Sequence, residues 1–81
     1  MIWILDQAGT RLLCVTAIQI AKYYGDSATA PPRYRIWVVS DGSELIVAEY
    51  SAAAQAEEAF RAIMEAVKSG AKFVDLRLLD A

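Results

Sequence analysis

The sequence predicts an α+β fold: an antiparallel sheet of four to five strands, with one long helix from the C-terminal half packed on one face. Three observations predict it. Ser51 to Gly70 separates into an apolar and a polar arc at 3.6 residues per turn. The first fifty residues carry short, β-rich alternating runs separated by glycine and proline turns. Between two of those runs stands Asp41-Gly42, the preferred pair for a two-residue type I′ hairpin.

The helix organises the rest. Ala52, Ala53, Ala56, Ala59, Phe60, Ile63, Met64, Ala66 and Val67 share one arc. Gln55, Glu57, Glu58, Arg61, Glu65 and Lys68 share the other, with Ala54 and Ala62 among them. Alanine is the best helix former, so local preference agrees with the pattern. Ser51 is the expected N-cap, and Gly70 the expected residue just past the C-terminus. Glu57 and Glu58 near the start and Lys68 near the end suit the helix dipole, and Glu57 can pair with Arg61. The polar arc is not basic and the apolar arc lacks tryptophan, which argues against a membrane-surface helix.

Before the helix, Ile2 to Asp6 and Arg11 to Val15 read as a hairpin around Gln7-Ala8-Gly9-Thr10. A bend or bulge is expected near Thr16, because alternation restarts at Ile18 and runs to Tyr24. Gly25 to Pro32 reads as a surface connection. Arg33 to Ser40 and Glu44 to Tyr50 form the hairpin closed by Asp41-Gly42. Its turn sets Ile36 opposite Val47 and Val38 opposite Leu45 on the face assigned to the helix. The reverse face then pairs Val39 with Glu44, Trp37 with Ile46, Arg35 with Ala48 and Arg33 with Tyr50. After Gly70, Phe73 to Leu79 alternates as a final strand, which joins its own sheet or reaches another chain.

Composition narrows the function. The 81 residues make one small domain, 57% hydrophobic with a net charge of −2. A domain of this size buries about 60% of its unfolded surface, so apolar area is expected to remain exposed and to favour association. Charges are interspersed, giving no push toward nucleic acid or anionic membrane. There is no histidine, which removes the commonest general base and metal ligand. Cys14, the single cysteine, lies among apolar neighbours that disfavour a thiolate. No phosphate-binding, zinc or calcium motif occurs. The chain is therefore read as non-enzymatic, with no cofactor and no metal. Without a signal-peptide pattern or an apolar run long enough to span a membrane, it is expected to be cytoplasmic.

Two surfaces follow from the hairpin. Trp37, Val39 and Ile46, flanked by Arg35 and Tyr50, have the composition of a protein interface, and the expected partner is a second copy or another protein. Arg33, Arg35 and Trp37 alternate on one strand, which offers two guanidiniums and a stacking indole to a single-stranded nucleic acid as the alternative.

The opening Met1-Ile2-Trp3-Ile4-Leu5-Asp6 with its Gly9 turn, and the junction Val47-Ala48-Glu49-Tyr50-Ser51 into an alanine-rich charged helix, resemble a group of very small uncharacterised bacterial and phage-encoded proteins. The resemblance implies an antiparallel meander followed by one helix. It implies no particular activity. The Pro31-Pro32 loop and the strand-like ending depart from that pattern.

Overall fold

The computed structural model describes residues 2–23 and 31–79. Among these residues, six strands and one helix follow in the order β1 (Ile2–Leu5), β2 (Leu12–Val15), β3 (Ala17–Tyr23), β4 (Arg33–Ser40), β5 (Ser43–Tyr50), α1 (Ala53–Lys68) and β6 (Phe73–Asp75). A 3₁₀ turn at Leu76–Leu79 follows β6. The fold is α+β, but the strands form two three-stranded sheets, β2-β1-β6 and β3-β4-β5, rather than one. The surface connection expected from Gly25 lies largely outside the described residues.

The split occurs at the bend expected near Thr16. β2 ends at Val15 and β3 begins at Ala17, yet they belong to different sheets. Thr16 is anchored as it turns, its N–H donating to the Val39 carbonyl at 2.9 Å. The final segment is strand only over Phe73–Asp75, and it joins its own chain. It pairs with β1 in parallel, Trp3 with Phe73, Ile4 with Val74 and Leu5 with Asp75. Alternation cannot distinguish a parallel from an antiparallel neighbour, so this pairing was open in the sequence.

One core joins these layers. α1 packs on β4 and more lightly on β5 and β3, and the other sheet meets β4 through β2. Ile4, Ile36, Ile63 and Leu76 are fully buried there. From the helix, Ala56, Ala59 and Ile63 are buried, and Phe60 and Ala66 are partly so. The alanines allow close approach to the sheet, and Ile63 plugs the gap between layers.

The helix ends differ in how well they are finished. At the C-terminus, Ser69 is the cap and Gly70 follows at φ +84°. The Gly70 N–H donates to the Val67 carbonyl and the Ala71 N–H to the Ala66 carbonyl, which completes a Schellman motif. At the N-terminus the expected Ser51 cap is displaced. Ala52 occupies the cap position in extended conformation and has no side-chain cap bond. Glu57 and Glu58, the fifth and sixth residues of the helix, lie beyond the first turn, where the dipole is weaker. The charge pair made along the helix is Lys68 with Glu65 at 4.0 Å, not Glu57 with Arg61.

Candidate association surfaces

Asp41 and Gly42, at φ 52° and 78°, make the expected type I′ turn. From it the register runs as read for four pairs, Ser40 with Ser43 through Trp37 with Ile46. A bulge between Ile36 and Trp37 then inserts one residue into β5. Ile36 pairs with Ala48, Arg35 with Glu49 and Tyr34 with Tyr50. On β5, the strand with the extra residue, the slip exchanges the faces of every residue beyond it.

That slip decides the fate of the expected site. Trp37, Val39, Ile46 and Arg35 do share the outward face of β3-β4-β5, and all are half-buried. Tyr50 does not join them. It turns into the core and is 5% exposed. Glu49 takes the outward place instead, between the two arginines. Arg33 Nε donates to Glu49 Oε1 at 2.9 Å and Arg35 Nε to Oε2 at 2.7 Å. The bond from Arg35 chiefly holds the Glu49 carboxyl below its ordinary pKa. Burial opposes that shift, and Arg33 adds to it. Arg33, Arg35 and Trp37 are therefore neighbours, but one carboxylate spans both guanidiniums and halves the positive charge offered to a phosphate backbone.

The bulge is held by the first turn of the chain. Gln7 N–H donates to the Val47 carbonyl at 2.7 Å, and Glu49 N–H donates to Gln7 Oε1 at 2.9 Å. Arg11 Nη2 reaches the Ile46 carbonyl at 2.6 Å. Three hydrogen bonds thus cover the outer edge of β5. Asp6 positions these groups. Its buried carboxylate accepts from the Thr10 N–H at 2.8 Å, the Arg11 N–H at 3.2 Å and the Arg11 Nε at 3.2 Å. Burial works against its charge, but the Thr10 and Arg11 hydrogen bonds outweigh that and lower its pKa.

A more exposed apolar face lies on the other sheet. Trp3 stands beside Cys14 of β2 and Phe73 of β6, and Leu5 beside Leu12. Trp3 is 46% exposed, and Leu12 and Phe73 are each 52% exposed. The unbroken apolar run Ile2-Trp3-Ile4-Leu5 carried the signal, since a strand apolar on both faces has one face left over when only the other meets the core.

The remaining open side lies between α1 and β3. Met64 and Val67, on the apolar arc of the helix, are 37% and 43% exposed. With Ile2, Val15 and Ile18 they line a cavity of about 520 Å³, with Lys72 at its rim. A hollow of about 180 Å³ lies toward the helix start, bounded by Ile20, Lys22, Tyr34, Ala53 and Glu57. β3 is an edge strand, and no described strand pairs with its outer side.

Among the described residues, no three potential metal-ligating side chains cluster, and no helix is long and apolar enough to cross a membrane. Comparison with protein-family models, curated proteins and solved structures finds no match.

Proposed function

We propose that this chain is a small non-enzymatic protein-interaction module that works as a homodimer. The observation that carries the reading is apolar area outside the core, above all Met64 and Val67 on the helix beside the open side of β3, with Trp3, Leu12 and Phe73 as a separate patch on the other sheet. Contiguous exposed apolar surface on so small a domain marks contact with another protein more often than it marks a solvated face. The outward face of β4 and β5, with Trp37, Val39, Ile46 and Arg35, is a second contact surface. Tyr50 has no part in it, being in the core. Kinship with the small bacterial and phage-encoded meander proteins belongs to the same proposal and bears on fold alone.

Single-stranded nucleic-acid binding has less support, because Arg33 and Arg35 both engage Glu49. Sedimentation equilibrium across a wide concentration range tests the main reading. A monomer–dimer equilibrium in the micromolar range is expected. A monomer at every concentration overturns the homodimer.

A further inference from the structure

We infer that the outer edge of β3 pairs with the same edge of a second copy, antiparallel about a two-fold axis at Gln19. The result is a continuous six-stranded sheet with the two helices side by side on one face. This inference rests on the homodimer reading and assigns its interface.

The first ground is the contrast between the two edges of one sheet. The β5 edge carries a bulge and is covered by Gln7 and Arg11 through three hydrogen bonds. Bulges and covering loops are the devices by which proteins prevent strand addition. The Ala17–Ala21 stretch of β3 has no such device among the described residues: it contains no proline, no charge and no bulge. One open edge on the β3-β4-β5 sheet lets that sheet close at two copies, since pairing consumes both such edges.

The second ground is self-complementarity. Rotation about Gln19 places Ile18 opposite Ile20 of the partner subunit and Ala17 opposite the partner's Ala21. The half-buried Ile18 and Ile20, at the margin of the core, then complete it with four isoleucines in one cluster. Cross-strand β-branched pairs of this kind stabilise antiparallel ladders.

The third ground is the helix. The same rotation sets the Glu57 end of one α1 beside the Met64 end of the other. Exposed Met64 and Val67 then meet apolar surface, and the open cavity they line is closed. Glu57, at the rim of the smaller hollow, comes alongside the partner's Lys72, at the rim of the larger one, so opposite charges meet twice. The helix dipoles run antiparallel, which is the favourable sense.

Charge placed at the axis tests the arrangement. Gln19 is exposed in the single chain, so its substitution leaves the core intact. Gln19→Lys and Gln19→Glu each bring like charges together across the axis. Each should weaken the dimer about fivefold at low salt in sedimentation equilibrium, and an equimolar mixture should recover it as a heterodimer. Gln19→Cys in a Cys14→Ser background should oxidise to a disulfide dimer, whereas Ser43→Cys in the same background, at the turn end of β5 and away from the β3 edge, should not. Trp3→Lys and Trp37→Lys should leave the dimer intact. A wild-type dimer that ignores both Gln19 charges, or dissociates on Trp3→Lys or Trp37→Lys, overturns the β3 interface while leaving self-association standing. A wild-type monomer overturns both.

Discussion

Removing the Asp6 carboxylate should destabilise the fold more than its place in a turn suggests. Asp6 is 3% exposed and accepts from two backbone N–H groups and from Arg11 Nε, all within 2.8–3.2 Å. Hydrogen bonds to a charged group contribute about 1.5–3 kcal/mol each when well formed. Arg11 is 45% exposed, so its share is screened, and the freed donors partly regain water. Asp6→Ala should therefore cost about 2–3 kcal/mol, out of the roughly 4–12 kcal/mol expected for a domain of this length. With a urea slope near 1 kcal/mol per molar, the midpoint should fall by about 2 M. Asp6→Asn keeps one acceptor oxygen for the backbone donors and should lose about half as much. The pH dependence has a fixed sign. Because the folded carboxyl titrates below its ordinary 3.8, its contribution is complete above about pH 4 and is lost as pH falls through the lower folded value. Urea midpoints for the wild type and both variants, from pH 7 down to pH 3, measure all of this. A loss under about 0.5 kcal/mol for Asp6→Ala, or equal losses for both variants, would refute the role given to the carboxylate.

Three further outcomes are expected. Ala52→Asp supplies the missing N-cap acceptor and a favourable charge, and should raise stability by about 1 kcal/mol in thermal or urea unfolding. Ile63→Ala empties a fully buried site between helix and sheet and should cost about 2–5 kcal/mol in the same assay. Glu49→Gln removes the negative charge that lies between Arg33 and Arg35, so any weak binding to single-stranded oligonucleotides at low salt should strengthen and become more salt-dependent. If the variant binds no better than wild type in fluorescence anisotropy, those arginines carry no nucleic-acid site.

Local chemistry was legible, and long-range pairing was not. Asp41-Gly42 announced both the turn and four pairs of register, because a type I′ turn needs two residues at positive φ. Gly70 likewise announced the end of the helix. The bulge in β5 depends on Gln7, forty residues away in sequence, and no local preference reports such a contact. One clue was present: uninterrupted alternation would have put Glu49 on the core face and Tyr50 outside, and an extra residue repairs both. The division into two sheets escaped for the same reason. Thr16 marked a break in the pattern, but which strand lay beyond it depended on Val39 and Phe73. The interface residues divide along this line too. Trp37, Val39 and Ile46 lie before the slip, and Arg35 lies on β4, whose alternation is unbroken, so all four face outward as expected, whereas Tyr50 lies beyond the slip on β5.

The parallel bond between β1 and β6 has a consequence for synthesis. Trp3 N–H donates to the Lys72 carbonyl, and Ile4 is sealed in the same interior as Leu76. β1 therefore waits for a strand about seventy residues further along the chain before its second neighbour exists. A nascent chain still short of residue 73 would show one flank of β1 bare, with its oily neighbours unsatisfied. The β1–β6 pairing should thus form only once residue 75 has left the ribosome, and chains stalled before that point should be prime clients for chaperones.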